Sequence, residues 1–327
     1  MSLRLVDLFS GCGGMSLGFQ SAGYNILAAF DKWKPAVDVY RANFKHPIHE
    51  MDLSEKNLKN CYKFFNDLKP DIIVGGPPCQ DFSHAGKRDE SLGRAGLTIS
   101  YAKIISEVRP RFFVMENVPR IATSEKIKDA IKIFKKSNYG LSCKVLDASL
   151  CGVPQKRLRF FLVGELGGQD NALLPYLEKG LSKEPMTVRK YLGNSLGVEH
   201  YYRHPRNYSR RAIYSIDEPS PTVRGVNRPT APNYPGHPAD STSEIKNTRP
   251  LTSKERSYVQ TFPKNFDFFG NKTDLELMIG NAVPVKLAEY VANCIMQYAS
   301  DKDRSGAKIA HGKKGAESQK NFYEIIG

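Results

Sequence analysis

Short apolar runs and amphipathic stretches alternate through the first half of the chain. Apolar runs of strand length predict strands at residues 3–9, 24–30, 72–74, 111–115, 143–146 and 160–164. Stretches with helical spacing predict helices at residues 15–23, 38–44, 57–68, 97–108 and 127–137. This alternation predicts an α/β fold with a doubly wound, largely parallel sheet, which binds ligands at the carboxyl ends of its strands.

The pattern changes after about residue 186. Between residues 187 and 256 the periodicity fades, prolines cluster, and tyrosines alternate with arginines in YYRHPRNYSRR. Helical order is expected again at residues 252–261. The segment 279–284 is then expected to open a last amphipathic helix that runs to about residue 298. The tail from residue 300 is rich in Lys, Gly and Ser and is predicted to be mobile.

Two structural units follow from this change. We predict one unit formed by residues 1–186 together with 281–327, and a second, smaller unit with its hinge at residues 187–280. A chain of 327 residues is long enough for one large core and such an additional unit.

The net charge favours a polyanionic partner. The chain has 48 Lys and Arg against 34 Asp and Glu, a net charge of +14 and a pI near 9.4. Residues 187–256 alone contain twelve basic and six acidic residues. Arginine, tyrosine and asparagine on an irregular backbone are typical of contacts to phosphates and base edges. The alternative is a basic enzyme with an exposed region of no special function.

The sequence also indicates where in the cell the protein is located and whether it binds a metal ion. The apolar run at the N-terminus is too short for a signal peptide, and no run approaches the roughly 18 apolar residues of a membrane span, so we expect a cytoplasmic protein. The cysteines form no C-x-x-C pair, which predicts reduced thiols and no metal site. They are Cys12, Cys61, Cys79, Cys143, Cys151 and Cys294.

A glycine-rich loop follows the first predicted strand. The residues Ser10 to Gly14 lie between that strand and a helix, where glycines permit close approach and free amides point outward. Asp31 ends the next strand about 20 residues later, where a carboxylate can accept hydrogen bonds from ribose hydroxyls. Ser16 stands where a G-x-G-x-x-G pattern has its last glycine, so a plain NAD site is disfavoured.

One cysteine is presented on a loop. The run 72–74 stops at Gly75, Gly76, Pro77 and Pro78, which neither continue a sheet nor start a helix readily, and the next residue is Cys79. The polar, glycine-spaced stretch 81–96 that follows is predicted to be a mobile loop that closes over a substrate. The alternative is a turn with an incidental cysteine.

Two further acids lie near strand ends. Glu116 follows the apolar run 111–115, and Asp52, within 51–53, lies near another probable strand end. The fold therefore brings both to the same edge of the sheet as the glycine loop, Asp31 and Cys79. The cysteine on the loop is a candidate nucleophile, and the neighbouring glutamate is a candidate group for donating or accepting a proton. The glycine loop is a candidate site for a nucleoside cofactor.

Six motifs in order resemble one enzyme family. They are DLFSGCGG, GGPPCQDFS, MENV, GVPQKRLR, RPLTSKERSYVQTFP and GNAVP, between residue 3 and about residue 298. The chain resembles the bacterial-type DNA (cytosine-5)-methyltransferases. The resemblance implies a doubly wound mixed sheet of the Rossmann-like S-adenosylmethionine-dependent type, with a smaller, irregular, mainly β target-recognition domain at residues 187–280.

The resemblance also implies a mechanism. Cys79 adds to carbon 6 of a cytosine flipped out of the duplex, and Glu116 hydrogen-bonds its ring nitrogen 3 and exocyclic amine. Arg157 and Arg159, two apart on a predicted strand, hold the cytosine carbonyl, a phosphate or Glu116. Carbon 5 then accepts the methyl group of S-adenosylmethionine.

The implied cofactor site draws on both ends of the chain. Asp31 would bind the ribose and Asp52 the adenine amine; whether Lys32 or Trp33 covers the adenine stays open. The full set is Phe9, Ser10, Gly11, Cys12, Gly13, Gly14, Asp31, Lys32, Trp33, Asp52, Leu53, Pro77, Leu97, Asn281, Ala282 and Val283.

The implied DNA contacts lie in the loop after Cys79 and in the recognition unit. They are Gln80, Ser83, Lys87, Arg88, Arg203, Arg206, Arg210, Thr222, Arg224 and Arg228. The expected partner is double-stranded DNA, with a cognate restriction endonuclease acting on the same site without a stable complex, and the enzyme is expected to be a monomer. The alternatives are a tRNA cytosine methyltransferase, a non-catalytic DNA-binding regulator and, more remotely, a small-molecule dehydrogenase.

Overall fold

The computed structural model describes residues 2–78, 96–205, 207 and 209–309. Its main sheet has seven strands in the order β3-β2-β1-β4-β5-β8-β6. These are β1 (Arg4–Leu8), β2 (Asn25–Asp31), β3 (Ile48–Glu50), β4 (Ile72–Gly75), β5 (Phe112–Asn117), β6 (Tyr139–Asp147) and β8 (Leu158–Leu166). Only β8 runs antiparallel to its neighbours. The doubly wound mixed sheet is therefore confirmed.

Helices cover both faces of this sheet. Those that join or follow its strands are α1 (Gly14–Ser21), α2 (Lys34–Asn43), α3 (Leu58–Leu68), α4 (Gly96–Val108), α5 (Glu125–Lys136), α6 (Leu174–Lys179) and α10 (Val285–Ile309). The strand order reverses between β1 and β4, so the crevice at their carboxyl ends is the expected ligand position.

The central strands are apolar on both faces because helices cover both. Along β5, Phe112 and Val114 pack into the core beneath α1 and α10, whereas Phe113 and Met115 pack into the core beneath α4 and α5. The same alternation holds in β1 and β4. These strands therefore read as continuous apolar runs in the sequence.

The recognition unit is mostly irregular. Its short elements are α7 (Val188–Leu192), β9 (His200–Tyr202), β10 (Ile213–Ser215), β11 (Ser220–Pro221), α8 (Ser253–Val259) and α9 (Lys272–Asn281). β10 pairs with β9, and β11 pairs in parallel with β7 (Gln155–Lys156), which immediately precedes β8. The β7–β11 pair therefore ties the recognition unit directly to the first unit.

Two expectations for the C-terminal part were wrong. The segment 279–284 does not open the last helix: Ile279 to Asn281 end α9, and α10 begins at Val285. The tail predicted to be mobile from residue 300 is instead helical as far as Ile309, and residues 310–327 lie outside the described residues. Lys302 and Tyr298 both bond the buried carboxylate of Glu165 at 2.7 Å, which anchors this end of the helix.

No helix in the described ranges combines the length and the apolar character needed to cross a membrane.

Gly164 makes room for an aromatic ring in the sheet. It lies opposite Phe113 in the β5–β8 pair, and a Cβ there would lie 2.0 Å from Cε1 of Phe113, whose ring stacks on Phe134 at 4.2 Å. We expect Gly164→Ala to lower the free energy of unfolding by about 1–3 kcal/mol, because the ring must leave that stack. Urea denaturation measures this.

The matched control is Gly96→Ala at the start of α4. No atom of the described residues lies within 4 Å of a Cβ at that position, so a change of about 0.5 kcal/mol or less is expected. Equal effects of the two substitutions would contradict this account of Gly164.

Candidate active site

The glycine loop leaves β1 at the switch point and enters α1. Phe9, Gly11 and Gly13 have left-handed backbone angles, with φ of 58°, 55° and 96°. A Cβ on Gly13 would lie 2.4 Å from the Phe44 ring, and one on Gly14 would lie 2.2 Å from the carbonyl oxygen of Val283. Both positions therefore require glycine, and the loop is held between α2 and the segment that precedes α10.

Asp31 bonds the loop from the end of β2. Its Oδ2 accepts from the amide of Gly11 and its Oδ1 from the amide of Trp33, both at 2.8 Å. Burial raises the pKa of Asp31, and these amide hydrogen bonds oppose the rise. Lys32 is exposed, whereas Trp33 is half-buried and packs against the apolar cluster that contains Cys12. Of these two residues, Trp33 is therefore the one whose side chain packs beside the loop.

Asp52 and Leu53 follow β3. Leu53 is buried in the core, and Oδ1 of Asp52 accepts from the amide of Ser54 at 3.0 Å, as in an Asx turn. Asp52 therefore stabilises the turn that follows β3. Leu97 is buried in the first turn of α4.

Glu116 lies at the carboxyl end of β5, beside the segment that leads to Cys79. A Cβ on Gly76 would lie 3.1 Å from Oε2 of Glu116, and Nδ2 of Asn117 donates to the carbonyl of Pro77 at 2.9 Å. The chain therefore leaves β4 directly alongside Glu116. Cys79 itself, with Gln80, Ser83, Lys87 and Arg88, lies outside the described residues, as does Arg206.

Glu116 forms a buried ion pair with Arg159. Nε of Arg159 lies 2.8 Å from Oε1, and the side chains are 13% and 10% exposed. Burial raises the pKa of Glu116, while Arg159 and then Arg157 oppose the rise. Oε2 is the oxygen that faces Gly76 and the crevice, because Arg159 occupies Oε1.

Arg157 has a different environment from Arg159. It precedes β8, and its fully buried guanidinium donates to the carbonyls of Val223 and Gly280 at 2.8 Å and of Ala282 at 3.2 Å. The interpretation that both arginines project from one strand toward a substrate is therefore corrected for Arg157. It braces the recognition unit and the segment before α10, and its charge lies close enough to Glu116 to oppose the rise in the pKa of that carboxyl.

A pair of glutamines strengthens the same junction. Nε2 of Gln155 donates to Oε1 of Gln260 at 2.7 Å, and Nε2 of Gln260 donates to the carbonyls of Ile279 and Ala282. Oε1 of Gln155 accepts from the amide of Val223. The sequence analysis missed this pairing, since the two glutamines are 105 residues apart; their positions inside two of the ordered motifs were the only signal.

The end of α9 completes the glycine loop's surroundings. Asn281 is exposed, Ala282 is half-buried, and Val283 is buried with its carbonyl against Gly14. Residues from both ends of the chain therefore meet at the loop, where the resemblance implies a shared cofactor site.

The predicted DNA-contacting arginines line a cleft in the recognition unit. We call this the arginine cleft; its lining residues are Arg203, Pro205, Arg210, Arg211, Tyr214, Thr222 and Arg224. An adjoining cavity is lined by His204, Val226, Asn227, Arg228 and Arg256 among others. Arg203 donates to the carbonyl of Thr222 and Arg224 to that of His204, which joins the segments 203–211 and 222–228.

Positively charged side chains lie close together around the arginine cleft and the adjoining cavity. Burial, and then the charges of Arg203 and Arg224, lower the pKa of Arg256 to about 10. Burial, Arg228 and Arg224 lower the pKa of His204. No Asp or Glu lines either cavity in the described part of the chain. Such a concentration of guanidinium groups is electrostatically suited to an anionic ligand.

The comparisons with known proteins agree with this geometry. A family model described as C-5 cytosine-specific DNA methylase matches residues 3–297. The chain is 56% identical over 304 residues to the Type II methyltransferase M.HindV of Haemophilus influenzae, covering 93% of this chain and 99% of that protein. It is 51% identical to the Type II methyltransferase M.HgiDI of Herpetosiphon aurantiacus, covering 90% and 95%.

Solved structures share the fold at low identity. A DNA modification methyltransferase from an Escherichia coli prophage, described as putative, aligns with a TM-score of 0.62 and 23% identity, over 91% of this chain and all of that one. The Dnmt2 methyltransferase of S. pombe aligns with a TM-score of 0.66 and 17% identity, over 91% and 99%.

Arg157 offers a direct test of the junction. Arg157→Met keeps an extended side chain but leaves the buried carbonyls of Val223 and Gly280 without the Arg157 donor, while the carbonyl of Ala282 keeps the hydrogen bond from Gln260. Each buried, unpaired polar group costs about 1–3 kcal/mol, so we expect unfolding to be easier by about 3 kcal/mol or more in urea.

Arg228→Met is the control, because Arg228 is exposed. The stability of Arg157→Lys should lie between those of Arg157→Met and Arg228→Met, because lysine keeps the positive charge but lacks the forked geometry of the guanidinium. An Arg157→Met protein as stable as the wild type would show that the guanidinium braces nothing.

Proposed function

We propose, from the premise that this chain belongs to the C-5 cytosine-specific DNA methylase family, that it methylates carbon 5 of a cytosine flipped out of a specific double-stranded DNA sequence. The proposed methyl donor is S-adenosylmethionine, and the proposed nucleophile is Cys79. The coarser activity follows from the family alone: the protein is a DNA (cytosine-5-)-methyltransferase of the Type II restriction-modification kind.

The position of Glu116 carries the proposal. Its Oε2 lies beside Gly76, three residues before Cys79, while Arg159 occupies its Oε1. A base that enters this crevice meets a carboxyl group with one oxygen oriented toward it. Burial raises the pKa of Glu116 against the opposing charge of Arg159, which makes it easier for this carboxyl to take up the proton that a hydrogen bond to ring nitrogen 3 requires.

The other cysteines are poorly suited to nucleophilic attack. The five in the described part of the chain, Cys12, Cys61, Cys143, Cys151 and Cys294, are all buried. Burial raises the pKa of Cys12 and Cys151 to about 12 and that of Cys143 and Cys294 to about 11. A thiol in such surroundings stays protonated and unreactive. This supports Cys79, which follows two prolines at the exit of β4, as the attacking thiol.

The proposed reaction proceeds by addition and elimination. The Cys79 thiolate forms a bond to carbon 6 of the cytosine, and the electron pair of the 5,6 double bond moves to carbon 5. Glu116 stabilises the charge that spreads to nitrogen 3, and Arg159 holds Glu116 in place. The electron pair on carbon 5 then bonds the methyl group, while the bond between that methyl and the donor's sulfur breaks and leaves its electron pair on the sulfur. Water takes the proton of carbon 5, which restores the 5,6 double bond and breaks the bond to carbon 6, so the thiolate is released.

The residues around the glycine loop fit S-adenosylmethionine, which would supply an electrophilic methyl group. The loop amides, Asp31 and the half-buried Trp33 lie together at the carboxyl ends of β1 and β2, and Gly14 packs against the carbonyl of Val283 at the start of α1. Asp31 keeps lone pairs for hydroxyl donors while its oxygens hold Gly11 and Trp33. We infer that Asp31 binds the ribose and Trp33 covers the adenine.

The arginine cleft supports double-stranded DNA as the substrate. Arg203, Arg210 and Arg224 converge there with Tyr214 and Thr222, on two segments that bond each other. Guanidinium groups suit both phosphates and guanine edges in the major groove. We infer that this cleft and Arg228 contact the duplex, whereas a tRNA substrate has no specific observation in its favour.

We also infer the context in which the enzyme acts. Relatives named Type II methyltransferases suggest a cognate restriction endonuclease that cuts the same unmethylated site without a stable complex. We infer a monomer, which light scattering of the purified protein tests directly.

The chemistry of Glu116 gives a quantitative prediction. Glu116→Gln preserves the shape but removes the acid, and we expect methyl transfer to a cognate duplex to fall by about 10²-fold or more, with DNA binding retained. Glu125→Gln, on the exposed surface of α5, should transfer methyl groups at the wild-type rate. The target is first located by bisulfite sequencing of DNA from a host that expresses the protein.

Covalent trapping then tests the nucleophile. A duplex with 5-fluorocytosine at the target position should form a stable adduct with the wild type in the presence of methyl donor, and none with Cys79→Ser. Full activity of Cys79→Ser, or labelling of tRNA in place of duplex DNA, would overturn the proposal.

Salt dependence tests the arginine cleft. Arg210→Ala and Arg228→Ala each remove an exposed cation, so we expect weaker duplex binding and a slope of log K against log salt that falls by about one per lost phosphate contact. Lys128→Ala on α5 is the control of equal charge. Equal slopes for all three variants and the wild type would remove the cleft from the DNA interface.

A further inference from the structure

A fully buried carboxylate lies behind the glycine loop. Asp7 is in the middle of the central strand β1, and its Oδ2 accepts from the hydroxyl of Ser16 at 2.6 Å. Its Oδ1 has no hydrogen-bond partner among the described residues. The proposed reaction does not use this group, and a buried acid with one unbonded oxygen calls for an explanation.

Hydrogen bonds connect Asp7 to a half-buried histidine. The hydroxyl of Tyr40 donates to Oγ of Ser16 at 2.7 Å and lies 2.6 Å from Nε2 of His46. We call Asp7, Ser16, Tyr40 and His46 the Asp7 relay. With Asp7 ionised, every donor points the same way: Nε2–H of His46 to Tyr40, Tyr40 to Ser16, and Ser16 to Asp7.

The relay touches the loop at two points. Ser16 belongs to the first turn of α1, whose N-cap, Gly13, has no side chain with which to cap it. The ring of Tyr40 lies under Gly13, where a Cβ would approach its Cδ2 to 2.9 Å. Ser16 is also the residue that departs from the G-x-G-x-x-G pattern, so this departure supplies a hydroxyl between the strand and α2.

The ionisable groups around Asp7 are few. The charge of Asp31 on β2 raises the pKa of Asp7 further. The charge of Asp7 in turn raises the pKa of Tyr40 on α2 and of Tyr101 on α4. Burial is the main cause that brings the pKa of Asp7 to about 7, and the Ser16 hydrogen bond opposes it. Burial lowers the pKa of His46 to about 4, so His46 stays neutral near pH 7.

We propose that Ser16 and Tyr40 are positioning residues for the methyl donor, because the Asp7 relay holds the glycine loop and the start of α1 in the form that binds it. This inference rests on the proposed function, in which the glycine loop binds S-adenosylmethionine. An ionised acceptor forms the stronger hydrogen bond to Ser16, so the loop is held most firmly when Asp7 is charged.

The experiment measures binding of S-adenosylmethionine to the full chain without DNA, by calorimetry between pH 6 and pH 8. In the wild type, affinity should fall about fivefold or more as the pH drops through 7, because Asp7 takes up a proton and its bond to Ser16 weakens. Asp7→Asn should bind weakly with a flat pH profile. Ser16→Ala and Tyr40→Phe should each bind about tenfold more weakly than the wild type at pH 8.

Two controls separate positioning from general destabilisation. Tyr139→Phe removes a buried tyrosine hydroxyl that donates at 2.7 Å to Pro110, on the far side of the sheet, and should bind normally. For Tyr40→Phe, KM for the methyl donor should rise while kcat at saturation stays within about twofold. S-adenosylhomocysteine should lose affinity to the same extent, because the loop binds the portion that both molecules share.

Three results would overturn the relay. They are wild-type affinity and pH profile in Tyr40→Phe, equal losses in Tyr40→Phe and Tyr139→Phe, and a loss confined to S-adenosylmethionine. If the wild type itself failed to bind S-adenosylmethionine, the proposed function would fail instead, so the two failures are distinguishable.

Discussion

One buried guanidinium holds the functional parts of this protein together. Arg157 bonds a carbonyl beside Thr222 in the recognition unit and two carbonyls that flank Asn281 before α10. A charge at that depth is costly unless every surrounding acceptor is placed for it. The arrangement of recognition unit, last helix and sheet therefore depends on this interaction, and the glutamine pair Gln155 and Gln260 extends it.

Close backbone contacts carry that arrangement to the glycine loop. A Cβ on Gly280 would lie 2.2 Å from the amide of Gly225, and one on Gly14 would lie 2.2 Å from the carbonyl of Val283. Glycine at these positions lets the last turn of α9 pack against residues 224–225 and lets the segment after α9 pack against the loop. The surfaces proposed to contact substrate and cofactor thus share one short stretch of chain.

Charge is distributed differently at the two surfaces. In the crevice, Glu116 and Arg159 form an ion pair at 2.8 Å, and burial raises the pKa of Glu116 while Arg159 opposes the rise. Arg203 and Arg224 in the arginine cleft repel Arg256, which lines the adjoining cavity and pairs with Glu276. The crevice thus holds a balanced ion pair, whereas the arginine cleft holds an excess of positive charge, as the proposed contacts to a base and to a polyanionic backbone require.

The sequence by itself determined six of the seven strands of the main sheet, the helices between them, the glycine loop and the acids at strand ends, since apolar periodicity and turn chemistry are properties of neighbouring residues. The meeting of both ends of the chain at the loop was implied by the family resemblance and by no local pattern. Only the tertiary structure separated Arg157 from Arg159, paired Gln155 with Gln260, connected Asp7 to His46 and ended α9 at Asn281. These outcomes depend on partners that lie far apart along the chain, and no local pattern records which buried acceptor a given side chain will reach.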